Sequence, residues 1–395
     1  MALSSLGATH SPQPHHQRIV EYAIQNIVKD EDELNTFMVI DLDHLHDLYK
    51  EWTNTFPQIR PYFAVKCNPD PKIIRTLSQL GAGFDCANHS EIERVINLGI
   101  SSKDIILANT CKLPRDMKSA KKKQIRYMTF DNEHELLKIS QNHDESSLLL
   151  RISCGDPSAK IPFGDKFGAH RDTWTDLIDI AKSLDLVIEG VSFHVGSGAS
   201  DPMAYIKALK DAHELFLLLH EKGCEPKVLD IGGGFSHPLT PSLMESVNNT
   251  IHHLFDKDIT VIAEPGRYFV ETVCTHYAKI IGKHRQKDVM KYWIYDSIYG
   301  CFADVAHGYL RPDIHPITQK HPRDPTTFKT HVYGCTCDGT DIIAKDIDLP
   351  ELVIGSWVYT PNMGAYTTVL STNFNSMDFQ GIPHIYKLDD KLFIE

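Results

Sequence analysis

The chain has 395 residues, room for one large domain and one smaller one but not for a string of modules. Acidic residues outnumber basic ones by 52 to 40, and the net charge of −12 argues against nucleic acid or anionic lipid as the main partner. A hydrophobic share of 42% speaks against disorder, and no apolar run approaches the roughly 20 residues of a membrane helix. From the N-terminus, Met1–Gln17 carries Ser, Pro and His without an apolar signal core, so a cytoplasmic address is expected. The nine cysteines are odd in number and lack framework spacing, which points to reduced thiols. Cys335 and Cys337 form a C-x-C without a second pair, and the 22 histidines include no H-E-x-x-H, so no metal is expected.

Hydrophobic periodicity then predicts an alternation. Thr36–Asp41 reads as a strand. Eight further strands are expected at Pro61–Lys66, Gly83–Ala87, Asp104–Ala108, Tyr127–Phe130, Leu148–Ser153, Gly190–Val195, Val228–Gly232 and Thr260–Glu264. Most are continuous apolar runs, as parallel strands buried on both faces should be. Amphipathic helices separate them. Ser90 and Glu93 suggest a capping box, with Gly99 past that helix's end. Asp201-Pro202 opens another helix, with Tyr205, Leu209, Ala212, Phe216 and Leu219 on one face and a stop at Gly223. This pattern predicts an α/β fold, a (β/α)8 TIM barrel over residues 41–270. An open doubly wound sheet competes, but no G-x-G-x-x-G follows the first strand. Beyond residue 270 the texture changes. Strands at Tyr292–Tyr295, Thr330–Tyr333, Ser356–Tyr359 and His384–Leu388 lack long helices between them, which predicts a mainly β domain over 271–395. The segment 1–40 would lend it the strand Thr36–Asp41.

In a barrel the chemistry sits at the C-terminal ends of the strands. There the sequence places Lys66, Asp85, Arg151, His194 with Ser197 behind it, Gly232-Gly233-Gly234, and Glu264-Pro265-Gly266-Arg267. Each has a bland reading: a snorkelling lysine, a core histidine, a tight glycine turn, a structural Glu–Arg pair. Together they make a different inventory. Glycine amides with Ser197 and Arg267 form a phosphate nest. Glu264 offers a carboxylate to a ring nitrogen, and His194 a flat face for stacking. Lys66 offers an amine, kept partly neutral by burial, to an aldehyde. Such a set suits pyridoxal 5′-phosphate.

Seven stretches carry a resemblance: PYFAVKCN (61–68), GAGFDCANHSEI (81–92), GVSFHVGSG (190–198), LDIGGGF (229–235), AEPGR (263–267), YGCTCDGTD (333–341) and NMGAYTT (362–368). In these the chain resembles the eukaryotic ornithine decarboxylase group of fold-type III pyridoxal-phosphate enzymes, whose barrel is shared with alanine racemase. The resemblance runs over roughly residues 35–380. It implies that Lys66 bonds the cofactor aldehyde, that His194 stacks on the ring and that Glu264 holds the pyridinium nitrogen. Ser197, Gly234, Gly266, Arg267 and Tyr366 would bind the phosphate side, and Asp85 and Arg151 would line the pocket. Cys337 would protonate the carbanion after CO₂ leaves, and Asp338 would meet the distal amine of the substrate. Both would come from the neighbouring subunit, making the enzyme a homodimer with shared active sites. Gly364 would be a backbone contact at that interface. The activity implied is decarboxylation of a basic amino acid, ornithine to putrescine first, in polyamine biosynthesis.

The match departs at one place. After Tyr295-Asp296-Ser297-Ile298-Tyr299-Gly300-Cys301-Phe302 the ornithine-specific pattern has a Tyr-Asp pair, whereas this sequence has His307 and Gly308. Asp304, one helical turn earlier, is the candidate replacement for the lost carboxylate. The alternative is an N-substituted or otherwise modified amino acid of specialised or alkaloid metabolism. A reading of another class is a catalytically inactive, antizyme-inhibitor-like binding protein, although Lys66 and Cys337 are both present. A racemase on the same barrel fits the C-x-C-D segment less well.

Overall fold

The computed structural model describes residues 13–27, 34–155, 159–161, 166–199, 201–317 and 326–394. It divides into two units, residues 42–273 with 364–369, and residues 1–41, 274–363 and 370–395. The stretch Gly364–Val369 thus groups with the first unit rather than with the residues on either side of it.

Strand β1, Thr36–Asp41, belongs to the second unit. The first unit is a closed barrel of eight parallel strands: β2 Ile59–Ala64, β3 Gly83–Cys86, β4 Ile105–Leu107, β5 Tyr127–Phe130, β6 Ser147–Arg151, β7 Val187–Ser192, β8 Val228–Asp230 and β9 Thr260–Ala263. Closure follows from β2 pairing with β9 in parallel, Ile59 opposite Val261. Tyr62, Ile106, Leu149, Val228 and Ile262 form a packed cluster of buried residues contributed by five of these strands. The Tyr62 ring lies against Gly83, where a β-carbon would come within 2.6 Å of it.

Polar residues cap the helices between the strands. Asp70 accepts from the backbone N–H groups of Lys72 and Ile73 ahead of the helix Pro71–Leu80. The helix after β3 is capped by Asn88 rather than Ser90. Asn88 accepts from Glu91 N, and Glu91 Oε2 accepts from Ala87 N at 2.8 Å, a reciprocal pair two residues earlier than the sequence suggests. The helix Pro202–Glu221 starts at Asp201 and buries Tyr205, Leu209, Ala212, Phe216 and Leu219, as the spacing predicts.

Several observed strands stop short of their predicted ends. β2 ends at Ala64, and Val65–Cys67 is a 3₁₀ turn. β7 ends at Ser192 and β9 at Ala263. Lys66, His194 and Glu264 therefore stand on the turns that leave the barrel, where backbone direction is free of the ladder.

In the second unit β1 pairs antiparallel with β10, Cys274–Gln286, and parallel with His384–Leu388. β10 also pairs with β11, Val289–Ile294, and with Trp357–Thr360. Phe37 and Tyr277 stack across this sheet with centroids 4.7 Å apart. Buried Asp296 organises the segment after β11. Its Oδ1 accepts from Ser297 N at 2.7 Å and Cys301 N at 2.9 Å, and its Oδ2 pairs with His276 Nε2 at 2.7 Å.

Candidate active site

Strands β3 and β6, which carry Asp85 and Arg151, and the turns beyond β2, β7, β8 and β9 bring Lys66, Asp85, Arg151, His194, Ser197, Gly234, Glu264, Gly266 and Arg267 into one unit, and Tyr366 joins them from the returning stretch. Lys66 Nζ donates to Asp85 Oδ2, and the Asp85 side chain is wholly buried. Burial opposes the charge on Lys66, but the carboxylates of Asp85 and Glu264, with Tyr366, outweigh it and raise its pKa. The expectation of a partly neutral amine is thus corrected: two carboxylates hold Lys66 as an ammonium ion. His194 behaves oppositely. Burial, with Arg151 and Lys66 adding to it, drives its pKa well below the ordinary value and leaves a neutral ring. The His194 Nδ1 accepts from Gly196 N at 3.1 Å, which fixes the ring plane.

The glycine run is a tight cradle. Gly232 and Gly234 have φ of +64° and +106°, and a β-carbon at either would strike backbone, Phe193 O at 2.1 Å or Gly196 O at 2.6 Å. A β-carbon at Gly233 would meet His194 Nε2 at 2.8 Å, and one at Gly266 would meet Cys67 Cβ at 2.9 Å. Beside the cradle, Arg267 donates from Nε to Ser197 Oγ at 3.4 Å and from Nη1 to Glu271 Oε1 at 2.8 Å. Arg267 Nη2 is buried and meets no acceptor. The guanidinium lies 5.3 Å over the Tyr366 ring.

Tyr366 has φ of +56°, a conformation costing a non-glycine residue about 1–2 kcal/mol. Its backbone N–H donates to Cys67 O at 3.0 Å, and Asn68 Nδ2 donates to Gly364 O at 2.9 Å. These two bonds tie the returning stretch to the turn that carries Lys66. Gly364 also donates its N–H to Glu271 O at 3.2 Å, inside the same unit.

Glu264 Oε1 and Asp85 Oδ1 are buried and meet no donor. A buried carboxylate oxygen, a neutral histidine, a buried guanidinium nitrogen without an acceptor on the arginine that meets Ser197, a glycine cradle and a lysine together form the set of groups that pyridoxal 5′-phosphate requires. The residues fit the cofactor.

Residues 42–271 match the family described as "Pyridoxal-dependent decarboxylase, pyridoxal binding domain". The chain belongs to this family. It is a pyridoxal-phosphate-dependent carboxy-lyase of the ornithine decarboxylase-like group. It is 39% identical over 364 residues to the chloroplastic ornithine decarboxylase of Nicotiana glauca, covering 89% of this chain and 84% of the relative. The crystal structure of the Paramecium bursaria Chlorella virus arginine decarboxylase bound to agmatine superposes with a TM-score of 0.89 at 37% identity, covering 93% of this chain and 99% of that one. Antizyme inhibitor 2 of Xenopus laevis is 36% identical, covering 94% of this chain and 84% of its own.

The remaining candidates of this decarboxylase lie in the second unit. Cys337 is exposed, and its backbone N–H donates to Asn375 Oδ1 at 2.9 Å. Asp338 Oδ1 accepts from Thr340 N, and its Oδ2 accepts from Thr340 Oγ1, both at 2.8 Å. The Tyr299 hydroxyl also donates to Asp338 Oδ2. With the Thr340 bonds, that contact lowers the carboxyl pKa, Tyr299 contributing most. Asp304 sits in the short helix Ala303–Ala306 and is 7% exposed, with His307 Nδ1 3.9 Å from its Oδ1. Gly308 has φ of +76°, and a β-carbon there would meet nothing within 4 Å. The turn that ends this helix thus favours glycine for backbone reasons as well as opening space.

Sequence reasoning missed Glu271, Tyr299 and Asp230. Glu271 was readable, lying four residues beyond Arg267 at helical spacing. Asp230 was hidden in the glycine motif it precedes.

Proposed function

We propose that this decarboxylase acts on a basic amino acid, ornithine first, as a homodimer whose active sites are shared. The observation that carries the substrate class is Asp338, a half-buried carboxylate kept ionised by three hydrogen bonds, next to Cys337. A fixed anion suits a distal ammonium, and a neighbouring thiol suits delivery of a proton to Cα. Within the barrel, Lys66 holds the cofactor, Glu264 keeps a proton at its ring nitrogen, and neutral His194 covers one face and excludes water. Ser197, the Gly232–Gly234 amides, Gly266, Arg267 and Tyr366 bind its phosphate side, while Asp85 and Arg151 line the pocket. When bound, pyridoxal 5′-phosphate supplies the ring that takes up the electron pair left behind as CO₂ departs.

The resemblance assigns Cys337 and Asp338 to the site of the neighbouring subunit. Mixing Lys66→Ala with Cys337→Ala protein should then restore about a quarter of wild-type activity, since random pairing places both defects in one of two sites. A mixture as inactive as either parent rejects the shared site. Decarboxylation assayed over ornithine, lysine, arginine and N-substituted amino acids tests the substrate class. A modified amino acid is the second reading, favoured by the open space at Gly308. The absence of any decarboxylation in a chain that binds the cofactor would favour the inactive, antizyme-inhibitor-like reading. The nine free thiols support the cytoplasm as its place of work. No helix among the described residues is long and apolar enough to cross a membrane.

A further inference from the structure

Asp230 ends β8 with 1% of its surface exposed, and none of the roles above uses it. Its Oδ1 accepts from Gly232 N at 2.9 Å. Its Oδ2 meets no donor, and neither does Glu264 Oε1, although the two carboxyl groups lie within hydrogen-bonding reach of each other. The backbone enforces this approach. Ile231 N donates to Ile262 O at 2.9 Å and Glu264 N to Gly232 O at 2.7 Å, so the ends of β8 and β9 are locked in register. Both carboxyl groups line one small cavity with Arg151, Ser192 and Thr129. The hydroxyls of Ser192 and Thr129 are likewise buried without partners.

Charge decides what the pair must be. Asp85 from β3 adds a third carboxylate to this end of the barrel, opposed by Lys66 on the turn after β2 and Arg151 at the end of β6. Lys66 is already paired with Asp85, and the Arg151 guanidinium stacks 4.8 Å over the Phe167 ring. Two adjacent buried carboxylates with no N–H or O–H between them cannot both be ionised, and a shared proton removes the repulsion. Burial first raises both acids above the ordinary carboxylate range; the charge of Asp230 and then that of Asp85 add to it at Glu264, while at Asp230 the hydrogen bonds of Gly232 and Glu264 oppose it and Asp85 adds to it.

We propose that Asp230 is a positioning residue that shares one proton with Glu264, so that the pair carries a single negative charge and the glutamate is held in one orientation for the ring nitrogen. No covalent bond changes. The shared proton stays within the pair, and Glu264 Oε1 is left to accept from the ring. This inference rests on the cofactor reading of the site, but the proton itself is measurable without the cofactor.

Infrared spectra of the full chain, cofactor-free and cofactor-loaded, should show a buried carboxylic-acid C=O band that shifts in D₂O. It should vanish in Asp230→Asn, which keeps the shape. Absence of the band from wild type, or its survival in Asp230→Asn, overturns the proposal. The dissociation constant for pyridoxal 5′-phosphate supplies the second readout. Asp230→Asn, whose amide can still donate to Glu264, should bind within about threefold of wild type, and Asp230→Ala should bind about tenfold more weakly. Equal binding by wild type and Asp230→Ala removes the positioning role. Failure of the folded wild-type chain to bind the cofactor at all would sink the reading of the site instead, and the infrared result would stand by itself.

Discussion

The phenolic hydroxyl of Tyr299 donates to Asp338 Oδ2 at 2.5 Å, and its ring stacks on Phe374 with centroids 4.1 Å apart. A carboxylate that would otherwise swing in solvent is thereby held from one side by the phenol and from the other by Thr340. Holding the anion in advance reduces what substrate binding must spend on ordering it. Tyr299→Phe keeps the stack and removes the donor. Steady-state kinetics should show KM for the basic substrate raised about 2- to 10-fold, the loss of one hydrogen bond, with a smaller change in kcat. An unchanged KM would mean that Asp338 does not bind the substrate or needs no anchoring.

Lys66 is paired with Asp85 and held as an ammonium ion by the charges of Asp85 and Glu264, so it must lose a proton before it can bond the cofactor aldehyde. Borohydride treatment of the loaded enzyme and peptide mapping should place the cofactor on Lys66. Asp85→Asn removes the nearest carboxylate and should shift the formation of that bond to lower pH, seen as the visible absorbance band during reconstitution at several pH values. A label on another lysine rejects the assignment.

At the specificity segment, Gly308 faces open space where the ornithine-type pattern has a carboxylate. Gly308→Asp should raise kcat/KM for ornithine by about 10-fold if that carboxylate is what the pocket lacks, less whatever strain the left-handed turn adds. Asp304→Ala should leave the native substrate almost unaffected. A wild-type enzyme already efficient on ornithine and crippled by Asp304→Ala would show that Asp304 has taken over.

The Asp230 carboxyl is raised to about 7, chiefly by burial, whereas an unfolded aspartate titrates near 4. Between these values the native chain binds more protons than the unfolded one, so this group's contribution to stability falls as pH rises through the window. The cofactor-free Asp230→Asn protein should therefore gain Tm relative to wild type between pH 5 and pH 8. Parallel Tm curves across that range would mean that Asp230 is ionised in the native state throughout.

The barrel was legible because its strands are continuous apolar runs, a signal that survives without any alignment. β10 was not. It starts buried and ends exposed through Lys283, His284, Arg285 and Gln286, so neither a continuous run nor a clean alternation marks it. Strand ends were misjudged where a strand runs straight on into a functional turn, as at Val65–Cys67, since periodicity cannot register the change of direction. Lys66, Asp85, Arg151, His194, Glu264 and Arg267 could be gathered from one rule about where barrels keep their polar residues. Tyr366 could not, because nothing in the pattern around it says that this stretch returns to the barrel. Asp230 escaped for another reason: a single acid before glycines reads as a turn former, and its partnership with Glu264 exists only once β8 and β9 lie side by side.

The return of Tyr366 to Cys67 has a consequence for how the protein is made. A ribosome that has translated through Val273 has already produced all eight barrel strands and Lys66. The hydrogen bonds of Tyr366 to Cys67 and of Asn68 to Gly364 still have to wait for the rest of the second unit to be synthesised. A nascent barrel can thus close long before its mouth is finished. On the role proposed for Tyr366, a chain stalled before that residue should hold a closed barrel but stay colourless.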